Sequence, residues 1–219
     1  MVNNQLVNKV RLFLTDVDGC LTDGGMYYSA EGEQLKRFCV YDGMGMVCLQ
    51  QAGIPCGILT SEQSPIVRAR AEKLKLRYLY LGVGSKVGKS VTRYDFSSPA
   101  SQSVSTELPP MTKLEAAREI CAQLGITLDE VCYVGDDIND MELLREVGYP
   151  CCPPNARPEV KNIVRAGGAK NDIHILDTLG GQGAIREIAD WILANQISSN
   201  QTPSNQTPPK RTNNLSATN

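Results

Sequence analysis

The sequence predicts an α/β fold built on a doubly wound parallel sheet. Two observations predict it: short apolar segments alternate with helical patterns, and 219 residues suffice for one domain with a sizeable core. Strands that alternate with helices imply βαβ units and a parallel sheet. The predicted strands span residues 10–15, 54–60, 78–81 and 131–135, with a weaker one at 149–152. The predicted helices span residues 44–51, 65–74, 113–124, 137–147 and 184–194.

Three segments interrupt this alternation. Residues 26–41 have the pattern of a β-hairpin that turns near Glu31-Gly32. The Ser-rich insertion at residues 84–111 is longer than a usual strand-to-helix connection, so it is either a lid or a disordered segment, and we favour disorder. Residues 196–219 repeat Ser-Asn-Gln-Thr-Pro and have almost no apolar content, which predicts a disordered tail. Residues 1–195 then form the folded domain.

Composition excludes several classes of protein. A net charge of -2 argues against a nucleic-acid-binding surface. The chain has no apolar run of the ~20 residues that a membrane span needs, and its polar N-terminus lacks a signal-peptide pattern. The eight cysteines form no Cys-x-x-Cys pair and lie mostly in apolar segments, so we expect buried, reduced thiols rather than disulfides or zinc ligands. These features together predict a cytoplasmic protein that does not bind membranes.

Two aspartates end the first predicted strand. Asp16 and Asp18 alternate along the strand and therefore share one face of it. At the carboxyl edge of a parallel sheet they would point into the crevice where ligands bind. Two carboxylates this close repel each other, so a cation or a shared proton is needed to hold them. Taken alone, the pair also fits a polar exit from strand to loop.

Three further features of the sequence support the prediction of a phosphoryl-transfer site. Thr60 ends another buried strand, where a hydroxyl and the following N–H groups can hold phosphate oxygens, although Thr is also a common helix N-cap. Lys113 opens a helix, a poor place for a cation unless an anion faces it. Asp136, Asp137 and Asp140 follow a third buried strand, and magnesium favours such carboxylates together with a substrate phosphate. Carboxylates, a cation and a hydroxyl at one edge predict phosphoryl transfer.

These residues resemble the haloacid dehalogenase superfamily of phosphatases. Its four motifs match Asp16-Val17-Asp18-Gly19, Thr60, Lys113 and Gly135-Asp136-Asp137 with Asp140. The resemblance implies that Asp16 is the nucleophile, that Asp18 is the general acid and base, and that Thr60 and Lys113 bind the phosphoryl group. Lys86 is a rival for the lysine role because it follows the third strand more closely. We prefer Lys113, because the Ser-rich segment looks inserted between strand and helix.

The resemblance also implies a magnesium cofactor. The metal would sit on the Asp16 carboxylate, the Asp18 backbone carbonyl and Asp136. Asp137 and Asp140 would support the metal's waters. Physically, magnesium and a lysine both favour the ionised nucleophile, which must attack phosphorus to form an aspartyl phosphate.

The spacing of the first two motifs narrows the choice of phosphatase subfamily. The 44 positions from Asp16 to Thr60 leave little room beside the hairpin for a large cap domain. The chain is similar to the capless, tetrameric sugar-acid phosphatases of this superfamily. The supporting segments are residues 18–24 (DGCLTDG), 40–45 (VYDGMG) and 180–187 (GGQGAIRE). That resemblance implies a homotetramer whose hairpins form a central barrel, while from sequence alone the apolar hairpin side chains could equally pack on their own domain.

The substrate implied is a phosphorylated 2-keto-3-deoxy sugar acid. The octulosonate branch typically has arginine after the second motif, whereas this chain has Glu62, so we expect a nine-carbon acid: 2-keto-3-deoxynononate 9-phosphate (KDN 9-phosphate) or N-acylneuraminate 9-phosphate. The alternative is 3-deoxy-D-manno-octulosonate 8-phosphate (KDO 8-phosphate), which the segment around Asp42 resembles more. The candidate substrate-binding residues are Asp42, Gly43, Ser61, Glu62, Arg70 and Lys73. A solvated helix face with charge pairs is the competing interpretation of Arg70 and Lys73.

Two rival functions fit the residues less well. A non-catalytic oligomerisation module should have lost Asp16 or Asp136, and both are present. A phosphomutase must shield its aspartyl phosphate from water, usually with a mobile cap, for which the chain has little room.

Overall fold

Seven strands form the central sheet of this computed structural model, which describes residues 10–84, 88, 90–96, 104–168 and 175–199. Five of them pair in parallel. In chain order these are β1 (Leu12–Thr15), β4 (Cys56–Thr60), β5 (Tyr78–Leu81), β8 (Val131–Val134) and β9 (Tyr149–Cys151). Their spatial order is β5-β4-β1-β8-β9, so the chain winds outwards in both directions from β1. The doubly wound α/β fold is therefore confirmed, although β1 and β4 begin two residues later than predicted.

Helices cover both faces of the sheet. Those in the described residues are α1 (Val40–Gln51), α2 (Pro65–Lys73), α3 (Lys113–Leu124), α4 (Met141–Glu146), α5 (Pro158–Gly168) and α6 (Ala184–Ser199). Helices α1, α2 and α6 supply apolar side chains to one core, and α3, α4 and α5 to the other. Along β1, Phe13 packs into the first core, whereas Leu12 and Leu14 pack into the second. Burial on both faces explains why the parallel strands are continuously apolar.

The Ser-rich insertion contains a β-hairpin, so the expectation of disorder is wrong for its described part. Strand β6 (Val91–Asp95) pairs antiparallel with β5, and β7 (Val104–Leu108) pairs antiparallel with β6. Val91 is fully buried in the second core, and Arg93 forms an ion pair with Glu119 of α3. The insertion is thus anchored to the sheet edge by backbone pairing and side-chain contacts. Residues 97–103 lie outside the described residues.

The predicted hairpin near the N-terminus exists, but it is shorter than expected. Strands β2 (Tyr27–Ser29) and β3 (Gly32–Leu35) form a separate two-stranded antiparallel sheet. The predicted segment ended at residue 41, whereas α1 already begins at Val40. In the described residues between β1 and β4 there is no large cap domain, as predicted.

Three helical segments differ from the prediction. The segment at 137–147 divides into a 3-10 turn, Ile138–Asp140, followed by α4. Helix α5 was not predicted. Helix α6 continues to Ser199, so the predicted tail at 196–219 begins inside a helix, and its remainder lies outside the described residues.

All eight cysteines are free thiols, and six of them are buried. Burial in the apolar cores raises the pKa of most of them, including Cys20 and Cys56, which keeps these thiols protonated. Among the described residues, no helix combines the length and the apolar character needed to cross a bilayer.

Candidate active site

A buried ion-pair cluster lies at the carboxyl edge of the sheet. The Lys113 amine lies 2.9 Å from Oδ1 of Asp16, which follows β1, and 2.6 Å from Oδ1 of Asp140, which follows β8. All three side chains are almost completely buried. The structure therefore brings together three residues that the sequence predicted for one site. Lys86, the rival for the lysine role, lies outside the described residues.

A capping box and two facing carboxylates explain why Lys113 can occupy the positive end of its helix. Thr112 is the N-cap of α3: its hydroxyl accepts the Glu115 N–H, and the Glu115 carboxylate accepts the Thr112 N–H. This capping box fixes the first helical turn and aims Lys113 at the sheet edge. Burial would lower the pKa of Lys113, but the facing carboxylates of Asp16 and Asp140 outweigh it and raise that pKa above its usual value. The lysine is thus a permanent cation.

Asp16 and Asp136 are held close together although both are acidic. Burial raises the pKa of Asp16 to about 6 against the opposing effect of Lys113. Burial and the charges of Asp16 and Asp140 raise the pKa of Asp136 to about 7. Gly19 permits the approach, because it has a positive φ of 85° and any side chain there would collide with Asp136. Such carboxyl groups gain most from a bound cation.

One oxygen from each of Asp16, Asp136 and Asp140 falls within 4.8 Å of the others. Hard oxygen ligands at this spacing suit a small divalent cation. Asp140 is nevertheless occupied by the protein: Oδ1 accepts from Lys113 and the Tyr133 hydroxyl, and Oδ2 accepts the N–H groups of residues 136 and 137. These contacts favour a role for Asp140 in holding the loop after β8 rather than in holding metal-bound water. Tyr133, in β8, was not singled out from sequence.

The predicted acid and base, Asp18, is engaged by a residue that sequence reasoning missed. Lys36 follows β3, its side chain is completely buried, and its amine lies 2.7 Å from Oδ1 of Asp18 and 2.7 Å from Oε1 of Glu33. The Thr22 hydroxyl also donates to Oδ1 of Asp18, at 3.2 Å. The sequence signal for Lys36 was weak, because its partner Asp18 comes near it only when the hairpin folds.

Thr60 ends β4 at the same sheet edge and is buried. Its hydroxyl accepts the Glu62 N–H at 3.2 Å, which shapes the turn into α2. Ser61 and Glu62 are exposed on this turn. Asp137 is exposed too, and its carboxylate caps the following 3-10 turn through the Ile138 N–H. These positions border the crevice in which the ion-pair cluster lies.

Two predicted substrate-binding residues make structural contacts. The buried Asp42 carboxylate accepts the N–H groups of Gly183 and Arg186 at the start of α6. Arg70 donates to the Cys39 carbonyl at 3.3 Å and lies against Gly43. The contacts of Asp42 favour a role in joining α1 to α6. The hydrogen bond to the Cys39 carbonyl engages one nitrogen of the Arg70 guanidinium.

Lys73 is exposed three residues beyond Arg70 on α2. Its exposure leaves its amine available to a ligand or to solvent. The contribution of Lys73 to substrate binding stays a prediction.

A loop before α6 packs on the turn after Asp16, and the contact is made through Asn155, a residue that was not predicted from sequence. The Asn155 side chain donates to the Gly19 carbonyl at 2.8 Å and accepts the Gly180 N–H at 2.8 Å. Gly180 lies so close to Gly19 that a side chain at position 180 would collide with the Gly19 carbonyl. Asn155 therefore ties together two loops that are distant in sequence.

An exposed apolar surface covers the hairpin and the start of α1. Its members, which we call the hairpin surface, are Met26, Tyr27, Tyr28, Leu35, Val40, Tyr41 and Met44. All are at least 45% exposed. Phe38, in contrast, packs against the first core. Packing of the hairpin on its own domain therefore accounts for Phe38 but not for Tyr27, Tyr28 or Val40.

Comparisons with known proteins agree on one family. The haloacid dehalogenase-like hydrolase family matches residues 86–180. The 3-deoxy-D-manno-octulosonate 8-phosphate phosphatase of Haemophilus influenzae is 32% identical over 192 residues, which is 88% of this chain and 87% of that protein. The enzyme of the same name from Escherichia coli K12 is 30% identical over 187 residues, covering 85% and 81% respectively.

Solved structures give the same result. The cobalt-bound octulosonate 8-phosphate phosphatase of Haemophilus influenzae superposes with a TM-score of 0.69 at 31% identity, covering 92% of this chain and 98% of that one. The Moraxella catarrhalis enzyme, in complex with a magnesium ion, a phosphate ion and KDO, also gives a TM-score of 0.69, at 29% identity over 90% and 97% of the two chains. Sequence and fold therefore point to the same group of proteins.

Proposed function

Because this chain belongs to the haloacid dehalogenase superfamily of phosphatases, we propose that it hydrolyses the terminal phosphate ester of a sugar acid through an aspartyl phosphate. The observation that carries the proposal is the buried contact of Asp16 with Lys113, 2.9 Å apart at the carboxyl edge of the sheet. A buried carboxylate beside a fixed cation is ready to attack an anionic phosphoryl group, whose charge the cation offsets.

The chain's own residues divide the reaction into two steps. In the first, the Asp16 carboxylate attacks phosphorus, the bond from phosphorus to the sugar oxygen breaks, and Asp18 gives its proton to that oxygen. In the second, Asp18 takes a proton from water, the water oxygen attacks phosphorus, and the bond to Asp16 breaks. Lys113 balances charge on the phosphoryl oxygens, and the Thr60 hydroxyl, which accepts the Glu62 N–H, donates its own proton to one of them.

Magnesium fits this site. Asp16, the backbone carbonyl of Asp18 and Asp136 would hold the ion, and the raised pKa values of Asp16 and Asp136 mark carboxyl groups short of positive charge. The ion supplies Lewis-acid stabilisation of the phosphoryl oxygens and keeps Asp16 ionised. The Moraxella catarrhalis relative carries a magnesium ion, which supports the same assignment here.

We propose KDO 8-phosphate as the substrate, which was the alternative rather than the first expectation from sequence. The support is the identity of 32% and 30% to phosphatases of that name over most of both chains. A nine-carbon acid is the second candidate, and one observation favours it: Glu62 is exposed on the turn after β4, where a carboxylate could accept hydrogen bonds from sugar hydroxyls.

Phosphate release from KDO 8-phosphate, KDN 9-phosphate and N-acetylneuraminate 9-phosphate, each with and without magnesium, tests both candidates. We expect the highest kcat/KM with KDO 8-phosphate. A preference of ~10-fold or more for a nine-carbon acid, corresponding to about 1.4 kcal/mol, would reverse the assignment. The Glu62→Ala variant is informative in either case, because loss of a hydrogen-bonding partner lowers kcat/KM for the substrate that uses it.

The hairpin surface supports a proposed homotetramer. Seven apolar side chains at least 45% exposed on one hairpin and one helix end are typical of an interface. Sedimentation of the native protein is expected to give about four times the chain mass. Tyr28→Asp should yield smaller species, whereas Gln123→Asp on α3, an exposed site away from this surface, should not. A monomeric native protein would contradict the proposal.

We also assign the reaction to the cytoplasm. The support is the set of eight free thiols, most of them buried, which suits a reducing compartment. Labelling of the native and the denatured protein with a thiol reagent directly after cell lysis tests it, and oxidised cysteines would argue against it.

A further inference from the structure

We infer that Lys36 is a positioning residue for the proton transfers of Asp18, and that it does so by anchoring the β2–β3 hairpin to the reacting centre. The inference rests on the proposed phosphatase mechanism, in which Asp18 exchanges protons with the sugar oxygen and with water. It concerns a residue outside the four motifs.

One oxygen of the Asp18 carboxylate is held by its neighbours. The Lys36 amine is fully buried and lies 2.7 Å from Oδ1 of Asp18, and the Thr22 hydroxyl donates to the same oxygen at 3.2 Å. Contact with Lys36 restrains Oδ1 and with it the carboxylate rotamer, and we assign the proton transfers to Oδ2. An acid or base must be within hydrogen-bond reach of its proton partner, so loss of this orientation costs rate rather than binding.

Lys36 is itself held from two sides. Oε1 of Glu33 lies 2.7 Å from the amine, and Oε2 of Glu33 accepts the Ser64 hydroxyl at 3.2 Å. Ser64 is the N-cap of α2, so the series of ion pairs and hydrogen bonds from Asp18 through Lys36 and Glu33 ends at the start of a helix. The Lys36 amine thus bridges two carboxylates, one on either side of it.

A leaving-group comparison separates positioning from a merely structural role. A sugar alkoxide needs a proton from Asp18 to depart, whereas 4-nitrophenolate departs without one. Water attack in the second step needs Asp18 with either substrate. In a Lys36→Met variant, the first step should therefore slow only with the sugar phosphate, and the second step should slow with both.

The experiment uses the full chain with magnesium, KDO 8-phosphate and 4-nitrophenyl phosphate. For Lys36→Met we expect kcat on the sugar phosphate to fall ~10- to 100-fold with KM changed less than ~3-fold. With the aryl phosphate we expect a burst of one nitrophenolate per active site and a trapped phosphoenzyme, which the wild type lacks. Lys36→Arg should restore part of kcat. Arg37→Met, which removes a neighbouring exposed cation, should behave like the wild type.

Every other outcome also decides between a positioning role and a structural role for Lys36. An equal fall on both substrates without a burst means a structural role and overturns the inference, as does unchanged kcat. Should Lys36→Met fail to fold, Lys36→Arg carries the same test, because it keeps the charge but displaces the donor. A wild type that hydrolyses neither substrate refutes the proposed function instead, so the two failures are distinguishable.

Discussion

The amine of Lys113 lies 2.6 Å from Asp140 and 2.9 Å from Asp16, so one buried cation joins the loops that follow β1 and β8. Asp140 in turn accepts the N–H groups of residues 136 and 137. The contact therefore connects Asp16, the proposed nucleophile, to the acidic loop after β8 through one side chain. Its removal should affect stability as well as catalysis.

Lys113→Met should both inactivate and destabilise the protein. The substitution keeps the apolar volume but leaves two buried carboxylates without their cation, which costs about 3–5 kcal/mol in comparable buried pairs. Urea unfolding should show this loss at neutral pH. The matched control is Arg118→Met on the same helix, whose ion pair with Glu146 is exposed and contributes about 0–1 kcal/mol. Similar stabilities of the two variants would contradict a structural role for the buried pair.

Asp16→Asn should abolish turnover and preserve the fold. The amide keeps the shape of the carboxylate but lacks the charge that attacks phosphorus, so no aspartyl phosphate forms. We expect phosphate release to drop at least ~10⁴-fold, measured with a purified sample whose circular dichroism matches the wild type. Turnover at the wild-type rate would rule out this mechanism.

Much of the fold followed from sequence because its strands are buried on both faces. Strands such as β4 and β8 are continuous apolar segments, and polar residues follow them at the sheet edge. The hairpin of β6 and β7 escaped prediction because serines cluster between its two strands, which made the whole segment resemble an irregular connection. Its stability depends on pairing with β5, which no local pattern reveals.

The residues of the candidate site were likewise predicted only in part. Asp16, Thr60 and Lys113 were found because each has a local signal at a strand end or a helix start. Lys36 and Asn155 were not, because their partners lie 18 and 136 positions away and are brought near only by the fold. Asp140 was predicted for the site, and its contacts with Tyr133 and Lys113 favour a task other than supporting metal-bound water.

The stability of the metal-free protein should fall as pH rises from about 4 to about 7. In this window the folded state holds protons on Asp16, with a pKa of about 6, and on Asp136, with a pKa of about 7, whereas the unfolded state has released them. Because the folded state binds more protons, the free energy of unfolding decreases with pH and levels off above about 7.

Thermal unfolding in a chelator at several pH values measures this slope. Asp136→Asn is the control, because it removes one of the two groups and should flatten the curve. Added magnesium should raise the melting temperature more at pH ~7.5 than at pH ~5, since protons and the cation compete for the same carboxylates. A magnesium effect independent of pH would contradict the assignment of these carboxylates as ligands.

Asn155→Ala should loosen the turn that carries the nucleophile. The variant leaves the Gly19 carbonyl and the Gly180 N–H without their shared partner, which we expect to cost about 1 kcal/mol, because water can replace part of the contact. Asn162→Ala is the matched control, since that exposed amide accepts a long contact from Arg165 within α5. Equal stabilities of the two variants in urea would show that Asn155 does not join the loops.

Asn155→Asp sharpens the same test. The carboxylate can still accept the Gly180 N–H, but it presents an oxygen instead of a donor to the Gly19 carbonyl, 2.8 Å from the present amide nitrogen. Two facing acceptors repel each other, so this variant should be less stable than Asn155→Ala at neutral pH although it is closer in shape to the native residue. The gap should narrow below pH ~4, where a protonated carboxyl group again offers a donor. The opposite order would mean that the Gly180 contact carries the stabilisation, and the link to the nucleophile turn would then contribute little.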